Sequence, residues 1–195
     1  DRVFHVALGP SMKDHPVLDT ALAVLRLAEG SLPLARMGSL LRSPFLGAAH
    51  EERNPRAILD AQLRRNHPVR LQAQKVTESA RVRAPLLAKL LGKWEKVKRG
   101  FPNKSLPSLW SLRFSRLLAA VAWPGDAVLH SGEFQAVEEG KELLSQLATL
   151  DAVTGPLTLG EALDLFDEMA GSTTFRPANH DQPVQVMSVP ETRGL

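Results

Sequence analysis

The chain has no cysteine and no tyrosine, and aromatic residues make up only 5% of its 195 positions. Without cysteine it holds no disulfide and no thiolate zinc site, which fits a reducing cytoplasm. So few rings leave little for stacking single-stranded bases. Long apolar runs are missing as well. The longest, Leu117 to Trp123, covers seven residues before Pro124, far short of the roughly 20 that a membrane-crossing helix needs. There is no Gly-x-x-x-x-Gly-Lys-Ser/Thr loop for nucleotide phosphates, no Gly-x-Ser-x-Gly elbow and no His-Glu-x-x-His helix. The histidines, His5, His15, His50, His67, His130 and His180, are scattered without ligand spacing and read as surface or core imidazoles. Asp164, Asp167 and Glu168 share one turn, which reads as a solvated face before it reads as a magnesium site. Nothing here argues for catalysis, and neither a metal nor a cofactor is expected in the segment.

What remains is an ordinary globular composition, 44% hydrophobic and 23% charged. The length suits one domain, or a domain with an appendage. The net charge of +3 conceals a division. Residues 1–52 carry five Lys/Arg and six Asp/Glu, a net of −1. Residues 53–116 carry sixteen Lys/Arg against Asp60, Glu78 and Glu95, a net of +13. Residues 117–195 carry three Lys/Arg and twelve Asp/Glu, a net of −9. So much charge of one sign repels itself unless acidic neighbours or a polyanion offset it. Two readings follow: a basic face answered internally by the acidic third, or a surface for nucleic-acid phosphates.

The dominant period is helical. Arg2 to Leu8 reads as a short strand closed by Gly9-Pro10. Val17, Leu18, Ala21, Leu22, Leu25 and Ala28 predict a helix over 16–29 that stops at Gly30. A second is predicted from Pro33 to Leu41, ending before Ser43-Pro44. Asn54-Pro55 starts a third, with Ile58, Leu59 and Leu63 inward, reaching Asn66. Residues 67–80 fit strand or extended loop. Helix resumes from Arg81 to Arg99, with Pro85 in its first turn and Leu86, Leu87, Leu90, Leu91 and Trp94 as its apolar stripe. Its opposite face offers Lys89, Lys93, Lys96 and Lys98 as a basic ridge. Ser105 or Ser108 caps a helix that ends at Trp123-Pro124-Gly125. Ser131 opens another, with Phe134, Val137, Leu143, Leu144 and Leu147 on one side. Thr158 and Glu161 have capping-box spacing before a helix over 159–169. Trp94, Trp110 and Trp123 read first as core anchors; Trp94 and Trp110 also flank the basic stretch, where a base or sugar contact is the other reading. The chain ends as a strand-like run, Val184 to Val189, followed by Glu191-Thr192-Arg193-Gly194-Leu195, which reads as a piece of a longer protein.

The two ends carry a family resemblance. Leu8-Gly9-Pro10-Ser11-Met12-Lys13-Asp14-His15-Pro16, continued by Leu22 to Leu27, resembles the segment after motif IV of UvrD-type superfamily 1 helicases. Leu40-Leu41-Arg42-Ser43-Pro44-Phe45-Leu46 is similar to the following helix and its exit. The C-terminal run resembles the opening of motif V, with Thr192, Arg193 and Gly194 at the motif positions. More closely, the whole chain resembles the corresponding part of AddB-like DNA repair proteins, through Trp123-Pro124-Gly125, Glu133 to Val137 and the 157–165 helix. It departs from the motif in having Pro190 where histidine is usual and Arg193 where lysine is usual. The first departure fits a degenerate helicase-like subunit, as the AddB and RecC proteins are, gripping DNA while a partner motor uses ATP.

The resemblance implies a mainly α fold: a helical accessory (2B-like) domain of about six to eight helices, with short terminal strands that pair. Residues 1–10 would be a strand of a RecA-like (2A) sheet, 11–175 the helical domain, and 176–195 the return connection with a motif V-like strand. It implies a non-catalytic role on duplex or forked DNA in bacterial cytoplasm, beside the parent's other domains and a helicase-nuclease partner subunit. ATP hydrolysis or a nuclease would lie elsewhere in the parent. The candidate phosphate contacts are Arg64, Arg65, Arg70, Arg81, Arg83, Lys93, Lys96, Lys98, Arg99 and Lys104, contacts that position a protein without reading sequence. The competing expectation is a protein-interaction module whose basic middle is neutralised by the acidic C-terminal third.

Overall fold

Between Pro16 and Arg26 apolar residues fall on every side of the helical wheel, and the helix they form, α1, buries eight of its eleven residues. Such a segment is stable only at the centre of a bundle. His15, extended after the 3-10 turn Met12–Asp14, takes the cap position, and Pro16 occupies the first turn, where a missing amide costs nothing. Gly30, at φ +130°, ends the turn that follows, a conformation side chains with a Cβ seldom adopt.

The computed structural model describes residues 5–6, 10–66, 69–175 and 185–186. Among them are eight helices of nine residues or more and one single turn. After α1 come α2 (Leu34–Arg42), α3 (Arg53–Asn66), α4 (Ala73–Arg83), α5 (Pro85–Lys98), α6 (Pro107–Ala120), α7 (Ser131–Ala148), the single turn α8 (Asp151–Thr154) and α9 (Leu159–Ser172). The strands are β1 (His5–Val6), β2 (Ser31–Pro33), β3 (Arg70–Gln72) and β4 (Gln185–Val186). The protein is mainly α, and its end strands do pair: β1 lies parallel to β4, with His5 opposite Gln185. The strands β2 and β3 pair antiparallel, Leu32 opposite Leu71.

Helix α1 packs on α2, α6, α7 and α9, while α4 and α5 form a hairpin that leans on α3 and α6. One continuous apolar core joins these layers, from Met12 and Leu18 through Trp94, Trp110 and Phe114 to Phe166. Each fully buried aliphatic side chain contributes about 1.5–3 kcal/mol. The buried hydroxyl of Thr20 is satisfied: Oγ1 donates to Pro16 O at 2.8 Å and meets Ser43 Oγ at 2.7 Å. Gly38 lets α2 approach α3, since a Cβ there would collide with Asp60 and Arg64.

Several details differ from the sequence expectation. Helix α3 starts at Arg53, one residue early. Helix α4 occupies most of the stretch read as strand or loop, and Ala84 before Pro85 separates it from α5, so 81–99 is not one helix. Ile58 is 52% exposed, Phe134 57% and Leu86 37%, so these three leave the apolar stripes assigned to them. Neither Ser105 nor Ser108 caps α6. Leu106 takes the cap position, and Asp151, 43 residues on, accepts the Ser108 amide at 2.8 Å and its hydroxyl at 2.7 Å. The Thr158–Glu161 capping box forms as expected.

One buried ion pair ties the layers together. Glu52, 4% exposed, accepts the amides of Leu86 and Leu87 at 2.7 and 2.8 Å, the first free donors of α5. Its carboxylate also faces Arg56, 1% exposed, whose Nη2 lies 3.3 Å away and donates to Gly47 O at 2.6 Å. Burial pushes the Arg56 guanidinium below its ordinary pKa, and Glu52 opposes that shift.

Two stability predictions follow from these contacts. Glu52→Ala should lower the urea-unfolding free energy by about 3–5 kcal/mol, the cost of leaving a buried charge unpaired, and Glu52→Ala/Arg56→Met should cost less than the two single changes added together. His15 is half-buried, its Nδ1 accepts the Val17 amide at 3.4 Å, and its ring meets Phe175 edge-on at 4.7 Å. Burial lowers its pKa, with Glu133 opposing. The unfolded chain therefore binds this proton more readily, so stability falls as pH drops below about 6.5. Melting curves at pH 7.5 and 5.5 should show the decline, and His15→Gln should flatten that part of it.

Candidate nucleic-acid interface

The basic residues lie on α3 to α6, and the structure sorts them into an exposed ridge and two end clusters. Along α5, residues 89, 93 and 96 fall on one stripe at 100° per residue, and all three lysines are exposed. Lys98 sits half a turn away from Lys89. It is half-buried, with Nζ 6.0 Å from the centre of the Trp94 ring, and so leaves the ridge predicted for it. A cation over an indole face is held by the ring quadrupole.

Lys98 and Arg99 line a hollow with Trp94, Glu95, Gly30 and Gln74. Arg70 joins this end of the layer, because its guanidinium donates to Ser31 Oγ at 2.9 Å and to Ser31 O at 2.6 Å, next to Gly30. At the other end of the α4–α5 hairpin, Arg83 Nε donates to Gln62 Oε1 of α3 at 3.2 Å. Arg64 follows two residues later and is held by Asp60 at 3.0 Å. Arg65 and Arg81 are exposed on the same two helices. Lys104 stands apart from the rest. It belongs to the loop before α6, and its charge is felt at the start of α9, by Glu161. That carboxyl is lowered first by the Thr158 amide, then by the Thr158 hydroxyl, with Lys104 adding a smaller push.

Among the described residues the acidic third makes no ion pair with this layer: ion pairs of the 53–116 segment join Arg56 to Glu52 and both Arg42 and Arg64 to Asp60, and none reaches an acid beyond residue 116. Asp164 is paired with Arg26 at 2.6 Å, Asp167 with Lys13, and Glu138 with Lys141 at 2.7 Å. Helix α6 explains the separation, since it packs on basic α5 on one side and acidic α7 on the other. Arg65, Arg81, Lys93, Lys96 and Arg99 are left exposed without an acidic partner among the described residues.

The tryptophans are core residues. Trp94 is 1% exposed and Trp110 0%, and Trp110 Nε1 donates to Leu157 O at 2.9 Å. Trp123 Nε1 donates to Val17 O at 3.0 Å. Thr192, Arg193 and Gly194 lie outside the described residues. Among the described residues no group of three or more His, Asp or Glu side chains is placed to hold a metal ion, and no helix is long and apolar enough to cross a membrane. Sequence reasoning passed over Arg56 and Glu52. Their i,i+4 spacing at a helix start was the available signal, but Arg56 looked like one more surface cation in a basic run.

The placement of the lysines predicts unequal effects on stability. Lys93→Glu and Lys96→Glu should change the unfolding free energy by no more than about 0.5 kcal/mol, as exposed positions do. Lys98→Ala should cost about 0.5–1 kcal/mol more through its lost contact with Trp94, as read by urea denaturation.

No family model, no curated protein and no solved structure matches this chain.

Proposed function

We propose that this chain is a non-catalytic DNA-binding accessory module of a helicase-like repair protein, gripping duplex or forked DNA through the outer layer formed by α3, α4 and α5. One observation carries the reading: among the described residues, exposed cations on adjoining helices have no acidic partner, while Glu138 of α7 and Asp164 and Asp167 of α9 pair with Lys141, Arg26 and Lys13. From Lys89 to Lys96 the ridge runs about 10 Å along α5, which matches about three base-pair steps of roughly 3.4 Å. Arg65, Arg81 and Arg83 lengthen the track at one end, and Arg70 widens it at the other. Contacts of this kind go to phosphates, so the module steers DNA and leaves sequence unread. The 2B-like assignment rests on the motif resemblances at the two ends of the sequence. The competing interaction module pairs the basic layer with the acidic third or with a partner subunit, and the ion pairs weigh against the first of these.

Fluorescence anisotropy with labelled duplex and forked DNA tests the proposal. Expected is micromolar or tighter binding at low salt. With about five phosphates neutralised, log affinity should fall against log salt with a slope near −4.5. Lys93→Glu/Lys96→Glu/Arg99→Glu should abolish binding with the fold intact. Absence of binding at low salt would remove DNA as the partner of the isolated chain and favour a protein partner for the same surface.

A further inference from the structure

The loop after α2, the first turn of α3 and the loop at Asp126 wall an open cavity of about 440 Å³. Arg42, His50, Arg53, Asn54, Arg56 and Asp126 line it. Hydrogen-bond donors outnumber carboxylates in this set, and its one carboxylate, Asp126, lies within electrostatic reach of Arg56. Glu52 is turned toward α5. Asp60 serves both Arg42 and Arg64. Asp126 accepts the Ala48 amide. Arg53 is exposed and has no acidic partner among the described residues.

Two further features point to an anion. Arg56 is 1% exposed, yet its Nη1 has no hydrogen-bond partner, and a buried guanidinium nitrogen left unpaired is costly. The cavity also opens at the N-terminus of α3, a helix of 14 residues, whose first amides lack intrahelical acceptors and whose dipole favours negative charge. An oxyanion with several acceptor oxygens answers donors that converge from a loop, a helix start and a buried arginine. A neutral ligand leaves Arg53 uncompensated.

We infer that this cavity is a phosphate-binding site, with Arg53, Asn54 and the start of α3 as contacts and Arg56 as the buried charge beneath them. The site is distinct from the lysine ridge on α5 and stands whether or not that ridge binds DNA. The ligand is a phosphate group, carried either on a strand terminus or on a small molecule.

Isothermal titration of the 195-residue chain with inorganic phosphate at low salt decides the matter. Expected is one saturable site that Arg53→Glu weakens at least tenfold, whereas Lys75→Glu, an equal charge change on α4, leaves it unaltered. Arg56→Lys keeps the charge but loses donors, and should weaken binding in a protein whose melting curve shows it folded. If Arg56→Lys does not fold, the exposed Arg53→Glu still decides. Displacement by a 5′-phosphorylated oligonucleotide but not by its 5′-hydroxyl twin would identify strand termini as the source. Displacement by neither would identify a small phosphorylated molecule. Heats that never saturate, or equal losses for Arg53→Glu and Lys75→Glu, would overturn the assignment.

Discussion

The Glu52 carboxylate is the constraint on which the outer layer rests. Three donors converge on it, the amides of Leu86 and Leu87 and the guanidinium of Arg56, and they come from two different helices. A carboxylate out of water survives only with such company. In satisfying it the chain fixes where α5 begins and which way α3 leaves the preceding loop. The direction of the α4–α5 hairpin follows, and with it the stripe of lysines. A helix start more than thirty residues away is thus positioned by one acidic side chain, as Asp151 does for α6 from the opposite direction along the chain.

The same device leaves a residue of unspent donor capacity. Arg56 gives Nε and Nη2 to Glu52 and Gly47 but has nothing for Nη1. A buried cation that is only partly answered by its partner extends its field into the nearest open volume, and here that volume is walled by Arg42, Arg53 and His50 against the single carboxylate of Asp126. In the proposed phosphate site, structural and binding roles are therefore not separable at this residue. What anchors the hairpin also sets the sign of the cavity.

Much of the fold was legible in the sequence because its signals are local. The apolar period of α1, the proline that opens α5, Gly30 and the Thr158–Glu161 box each act within a few residues, and each lies where expected. The failures share the opposite character. Strands β2 and β3 are three residues long and find each other across α2 and α3, so neither has a periodicity to read. Ile58, Phe134 and Leu86 obey helical spacing but sit at the margins of their stripes, where burial depends on what packs opposite. Lys98 counted as part of a ridge until the angular position of residue 98 and the Trp94 ring beside it are considered together. For the candidate interface, composition revealed the charge, and only the tertiary arrangement revealed which cations are left without an acid. Arg56 was hidden by its neighbours, since nothing in a run of arginines marks the one that turns inward.

Helix α6 has a consequence beyond separating basic α5 from acidic α7. By holding opposite charges on opposite flanks it gives a molecule of small net charge a markedly uneven charge distribution. In the proposed complex with DNA, such a body would feel a torque in the field of the polyanion before any contact forms, and would arrive with its basic face already turned toward the strand.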